Sequence, residues 1–274
     1  MIDRISNEFL KSVNKLNQKK YRLDSGKILI EGERLISQIF DYIKNKDLSI
    51  QSSFEYLLID ENKITNYKTL LNEIASISKD TKIMSLSTQQ ANKLSNTITS
   101  QNIFAILNFK TNEINKFNKI IYLDSISDPG NMGTIIRTAT AFDIDGIVLS
   151  KNCCELSNPK VVRASMGSIF YIPFLYDDDN WITDRKELIY ISDVQKGTPL
   201  TDFTFPDKPY ILVLGSEAIG VNINKLQNFT DKITIPIKNK MESLNVSIAA
   251  GIFFNKMFND SLHHKYQNKG QQID

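Results

Sequence analysis

Five apolar runs in the second half of the chain, KIIYL, GIVLS, ELIYIS, YILVLG and KITIPI, are separated by segments with helical patterning. Such an alternation is expected of a mostly parallel sheet with helices covering both of its faces. It predicts an α/β fold over residues 119–258. The first half carries a second, smaller set of signals. KILIEGERLISQIF reads as a strand, a Gly turn and a helix, SSFEYLLID as a strand, and IFAILNF as another. KIMSLSTQQANKLSNT reads as a strand followed by a helix whose N-cap is Ser87 or Thr88. These make a small α/β domain over residues 1–109. Residues 110–118, KTNEINKFN, are polar and lack periodicity, which marks a linker. Residues 259–274 read as a polar, frayed tail, and His263 and His264 within it are assigned no chemistry.

A chain of 274 residues that is 41% hydrophobic and 23% charged is no disordered chain, and it is long enough for two modest cores or one large one. The formal charge of +2 means that affinity for nucleic acid must come from local clusters of basic residues. Cys153 and Cys154 are adjacent and badly placed to pair with each other, and no zinc-type spacing occurs, which suits a reducing compartment. The N-terminal MIDRISNEFL has no apolar core, and no run of about 18 apolar residues is present. The expectation is a cytoplasmic protein with neither membrane span nor metal site.

Lys11, Lys15 and Lys19 recur at four-residue spacing, which would align them on one helix face, with Lys20, Arg22 and Lys27 following. A solvated face and a set of RNA phosphate contacts explain this pattern equally well. Arg163 reads more simply as one half of a structural ion pair.

Three later segments concentrate polar and small residues at strand ends. In DSISDPGNMGTIIRTATAFDIDGIVLS, Asp128-Pro129-Gly130 supplies a tight turn and a helix follows from about Gly133, with Asn131 near its start. Arg137 lies among apolar neighbours, so it should be paired with a carboxylate or placed at a site, because burying an unpaired guanidinium is costly. In YILVLGSEAIGV a strand ends at Gly215, where ligands gather in open α/β sheets. Glu217 there reads most simply as a helix N-cap, and the segment fits neither GxGxxG nor GxSxG. In ITIPIKNKMESLNVSIAAGIFFNKM, Ser243 and Asn245 open an apolar helix whose Ala249, Ala250 and Gly251 permit close packing. Taken alone, Ser243 is no more than a cap.

In this order and spacing, DPGNMGTIIRTA, LGSEAIGV and IPIKNKMESLNVSIAAGIFF resemble the three motifs of the SpoU branch of the SPOUT methyltransferases, over roughly residues 119–258. NPKVVRASMGSIFYIP resembles that family's intervening helix and strand. KKYRLDSGKILIEGERLI and MSLSTQQANKLSNTI are similar to the substrate-binding domain that precedes the catalytic domain in many ribosomal RNA members.

The resemblance implies a deep trefoil knot in the C-terminal domain and S-adenosyl-L-methionine as cofactor, its adenine and ribose held near Gly215, Ile235 and Leu244. It implies Arg137 as the catalytic residue, acting either on the proton of a ribose 2′-hydroxyl or as an orienting and charge-stabilising group. Asn131, Glu217, Ser243 and Asn245 fall on the remaining site positions. The implied activity is 2′-O-ribose methylation of RNA by a homodimer, with ribosomal RNA favoured by the extra N-terminal domain. A tRNA methyltransferase and a non-catalytic RNA-binding or assembly protein of the same fold are the alternatives. One departure stands out: Asn239 occupies a loop position where the family has Gly.

Overall fold

A computed structural model describes residues 2–44, 53–77, 80–97, 99–178, 180–216, 220–222, 226, 229–238 and 241–270. The chain forms two compact units, one of Met1–Asn112 with Leu156–Tyr171, the other of Glu113–Glu155 with Ile172–Asp274.

In the first unit the helices are α1 (Asn7–Lys15), α2 (Lys19–Ser25), α3 (Glu33–Lys44), α4 (Lys68–Ile77) and α5 (Thr88–Leu94). They accompany a four-stranded sheet of β1 (Lys27–Glu31), β2 (Ser53–Asp60), β3 (Lys82–Leu86) and β4 (Ile103–Asn108) in the order β1-β4-β2-β3. β4 runs antiparallel to both neighbours, and β2 and β3 are parallel. Ser87 caps α5 through a capping box, its Oγ accepting from Gln90 N at 3.2 Å while its own N–H reaches Gln90 Oε1 at 3.0 Å. Helix α3 buries Leu35, Ile36, Ile39 and Phe40, a stripe of helical period. Leu29, Leu58, Leu86 and Phe104 join Leu10 and Val13 of α1 in one core cluster. Each such side chain contributes about 1.5–3 kcal/mol on burial.

The lysine face expected on one helix is broken. Helix α1 ends at Lys15 and Lys19 opens α2, so Lys11 and Lys15 share a helix while Lys19 belongs to the next. All three are exposed. The break comes from Arg22, which is buried and donates from Nη1 to the Leu16 carbonyl at 3.0 Å, fixing the corner between the helices. Arg22 is therefore part of the packing and not of a basic surface.

The second unit is built on a seven-stranded sheet of β5 (Lys119–Asp124), β6 (Gly146–Leu149), β7 (Phe174–Tyr176), β8 (Leu188–Ser192), β9 (Thr198–Pro199), β10 (Tyr210–Gly215) and β11 (Asp231–Thr234). The order is β7-β6-β5-β10-β8-β11-β9, and every pairing is parallel. The five apolar runs become β5, β6, β8, β10 and β11, while the short β7 and β9 extend the two edges. Helix α6 (Pro129–Ala141) follows β5, and α8 (Val246–Gly270) ends the described chain. The short helix α7 (Pro159–Ala164) lies in the Leu156–Tyr171 segment, which packs with the first unit although the family resemblance reads it as continuous with the motifs on either side.

Helix α8 does not stop at Asn259. It continues to Gly270 because its polar half has partners: buried Asp260 accepts from Phe205 N at 2.9 Å and from Lys256 Nζ at 2.8 Å. His264, expected in a frayed tail, is half-buried, with Nε2 2.9 Å from the Phe205 carbonyl. Among the described residues no helix is long and apolar enough to cross a membrane.

Candidate active site

At the carboxyl ends of β8 and β10, on the second unit, lies a cavity of about 590 Å³, within the size range of small-molecule sites. Leu214, Ile235, Ile237, Leu244 and Phe253 give it apolar walls, and Gly215, Ser216, Gly220 and Ser243 add backbone and hydroxyl groups. Gly215, Ile235 and Leu244, which the motifs single out in three separate segments, thus meet around one space.

Gly215 is demanded by the chain itself. A Cβ at this position would overlap the carbonyl of Gly220 and the nitrogen of Val221. The backbone at Gly220 and Val221 lies straight across it, with Gly220 N donating to the Ser216 carbonyl at 2.8 Å and Gly220 at φ +72°. The close approach at Gly215 is made by this returning backbone.

The sequence reading missed the loop after β8, where Ser192, Asp193, Val194 and Gln195 form a further wall of the cavity. The available signal was its position at the carboxyl end of the predicted strand ELIYIS. Asp193 fixes the loop's shape: Oδ1 accepts from Gln195 N at 2.9 Å and Lys196 N at 3.0 Å, and Oδ2 accepts from Lys232 Nζ at 2.8 Å. Burial alone would raise the Asp193 carboxyl, but the Lys232 ammonium and the two N–H groups outweigh it and hold it below the usual carboxylate range.

Next to the cavity in sequence lies a polar patch on α6 and α8. Helix α6 starts earlier than expected: Asp128 is its N-cap, accepting from Asn131 N at 2.8 Å, and Pro129 is the first helical residue. Asn131 therefore sits in the first turn, where its Oδ1 accepts from Asn245 Nδ2 at 3.0 Å. Asn245, not Ser243, caps α8. Its carbonyl accepts from Ile248 N and Ala249 N, and its Oδ1 accepts from Ser247 N at 2.9 Å and Ser247 Oγ. Ser243 is left to line the cavity.

Arg137 corrects a premise. The buried stripe of α6 is Met132, Gly133, Ile135, Ile136 and Ala139, which turns Arg137 outward, and the side chain is exposed. Among the described residues it makes no hydrogen bond or ion pair. The cost of burying a guanidinium therefore does not arise here. Glu217 and Asn239 lie outside the described residues. Both cysteines are poor nucleophiles, since burial pushes the Cys153 thiol up and drives that of Cys154 to about 12. Among the described residues no group of three His, Cys, Asp or Glu side chains is placed to hold a metal ion.

The sequence model of the SpoU rRNA Methylase family matches residues 118–255, which contain every residue named above for the cavity and the polar patch. The chain belongs to the SpoU rRNA methylase family. An MRM3-like substrate binding domain matches residues 7–105. Among SpoU relatives, the Bacillus subtilis 23S rRNA (guanosine(2553)-2′-O)-methyltransferase RlmP is 28% identical over 255 residues, 92% of this chain and 96% of that protein. A TrmH-family protein from Porphyromonas gingivalis superposes with a TM-score of 0.76 at 26% identity, covering 92% of this chain and 98% of its own. An rRNA methyltransferase from Sinorhizobium meliloti, solved with AdoMet bound, shares the fold at 22% identity and a TM-score of 0.77, covering 96% and 97% of the two chains.

Proposed function

We propose that this SpoU protein transfers a methyl group from S-adenosyl-L-methionine to a ribose 2′-oxygen of ribosomal RNA. The observation that carries the proposal is the meeting of Gly215, Ile235 and Leu244 around one cavity, with the Asn131–Asn245 hydrogen bond joining the helix starts that adjoin it. The cavity suits that cofactor chemically: apolar walls for a purine, backbone groups at its edge, and polar side chains for a charged amino-acid tail.

When bound, S-adenosyl-L-methionine supplies an electrophilic methyl group, and no metal is needed. Backbone at Gly215, Ile235 and Leu244 holds the adenine and ribose. Arg137 has five donors and no acceptor, so its part is to orient the ribose oxygen and stabilise the negative charge that develops there. Its exposed position suits a group that meets its partner only when RNA arrives. Asn131 and Asn245 hold the helix starts in register, and Ser243 and Glu217 position the surrounding loops.

Residues 1–109 serve as the RNA-binding domain, with Lys11, Lys15 and Lys19 on phosphates, residues 110–118 as linker, and residues 119–258 as the knotted transferase. The protein works in the cytoplasm as a homodimer. Ile248 and Ile252, one turn apart on α8 and 55% and 38% exposed, support an apolar interface there. The test is incubation of purified protein with labelled S-adenosylmethionine and ribosomal RNA, followed by mapping of the product. Methylation of one ribose is expected. Label on a base, on tRNA alone, or on no RNA would overturn the assignment in favour of another substrate or a binding protein.

A further inference from the structure

Strands β5 and β10 are parallel neighbours, and in their register Asp124 lies directly opposite Gly215. Both residues end their strands. Beyond Gly215 the chain turns back on itself at Gly220, and Val221 packs against the apolar cluster of Ile120, Tyr122 and Val213. The next residue, Asn222, donates its N–H to Asp124 Oδ2 at 2.8 Å. The Asp124 side chain is only 9% exposed, and its other oxygen accepts from Ser125 Oγ at 3.0 Å.

We infer that Asp124 is a positioning residue for the cofactor: it fixes the return path of the loop after β10 and so sets the cavity wall made by Gly215, Ser216 and Gly220. The inference rests on the reading of this cavity as the S-adenosylmethionine site. Val221 anchors the loop by apolar contact, which limits its depth but leaves it free to slide. A hydrogen bond from backbone to a buried carboxylate is directional and stronger than one between neutral groups. It holds the segment at one height along the strand end, and Gly220 can cover Gly215 only at that height.

The experiment compares wild type, Asp124→Ala and Asp124→Asn by calorimetric titration with S-adenosylmethionine and by hydrogen exchange of the Asn222 amide. Asp124→Ala should weaken cofactor binding by about 10- to 100-fold and speed exchange at Asn222. Asp124→Asn, which keeps an acceptor oxygen in the same place, should restore most of both. A residue that only contributes stability would lower the melting temperature while leaving affinity unchanged well below it, and that result would overturn the inference. So would an asparagine variant as impaired as the alanine one. Should the alanine variant fail to fold, Asp124→Asn decides alone: faster exchange at Asn222 with a small loss of affinity supports the inference, and faster exchange with affinity unchanged overturns it. If the wild-type chain binds no S-adenosylmethionine, the proposed function itself falls. Wild-type binding with an unaffected Asp124→Ala variant overturns only the role of Asp124.

Discussion

The cavity wall and the polar patch that adjoins it are built by opposite means. One side of the wall is set by backbone: Gly215, Ser216 and Gly220 close on one another, and the Asp193 carboxylate holds the loop after β8 through two N–H groups. The Asp193 carboxylate and the Gly220 N–H already have protein partners, so this part of the wall keeps its shape without a ligand. The patch is made of side chains on two helices, α6 and α8. Asn131 and Asn245 are tied to each other, while Arg137 projects to solvent. A preformed wall suits a small cofactor that must be held in one pose. An exposed cation on α6 suits a large substrate that completes the site on arrival. The two regions should therefore respond differently to substitution, the wall through stability and affinity, the patch through turnover.

The strongest test of that contrast is Gly215→Ala. The new Cβ would overlap the Gly220 carbonyl and the Val221 nitrogen, neither of which can move without displacing the loop. A loss of about 3 kcal/mol or more in urea unfolding is expected, together with loss of cofactor binding. A variant of wild-type stability would show that the wall is loose and the contrast false. Next comes Arg137→Ala, which should lower methyl transfer about 100- to 1,000-fold. As an exposed substitution it should change stability by no more than about 0.5 kcal/mol, and calorimetry should show the cofactor still bound. Loss of binding in this variant would place Arg137 in the wall instead.

This division also explains what was legible in the sequence. Strands β5, β6, β8 and β10 announced themselves because strands buried on both faces must be continuously apolar, whereas β7 and β9 are too short to leave a pattern. Ile235 and Leu244 were found by motif position, since in the sequence an apolar side chain that lines a cavity reads no differently from one that fills a core. Glycine at 215 was visible, but its cause was not, because only the folded chain brings Gly220 against it. The Asp193 loop was missed for a related reason: SDVQKG looks like any polar turn until Lys232, on another strand, is placed against it. Long-range ties also decided the failures elsewhere. Lys19 left the expected face because Arg22 reaches back to the Leu16 carbonyl, and residues 259–270 became helix because Phe205 offers both an N–H and a carbonyl to α8.

Two intermediate effects sharpen the comparison. Asn245→Ala removes both the α8 N-cap and the bond to Asn131. It should cost about 1 kcal/mol of stability and slow transfer about 10- to 100-fold through misplacement of the helix starts. Double substitution of Asn131 and Asn245 should do little more than Asn245→Ala alone, since that change already removes the hydrogen bond between them. Lys232→Met probes the wall by pH. The folded Asp193 carboxyl lies below its unfolded value, so its contribution is present above the unfolded pKa and lost as the pH falls through the folded one. Without the ammonium, burial pushes the carboxyl up against two N–H groups only. Melting temperature followed from about pH 6 to pH 3 should then begin its decline at higher pH in the variant than in wild type. Superimposable curves would mean that Lys232 is not what sets the loop.

The smallest effect comes from the other conspicuous glycine. Gly251 lies in the interior of α8, and a Cβ there meets nothing closer than Thr138 Cγ2 of α6 at 3.8 Å, an ordinary contact. Unlike Gly215, it is not required by any approach within the chain, so Gly251→Ala should stabilise the protein by about 0.5–1 kcal/mol through helix propensity. Thermal unfolding measures this directly, and sedimentation of the same variant makes it informative about assembly. Gly251 is partly exposed on the helix that also presents Ile248 and Ile252. If a second copy packs on this helix through those two isoleucines alone, the added methyl leaves association unchanged and the gain appears in full. A variant that is more stable as a monomer yet associates more weakly would mean that the partner's backbone comes as close to Gly251 as Gly220 comes to Gly215, and that the small residues of α8 serve assembly and not the fold.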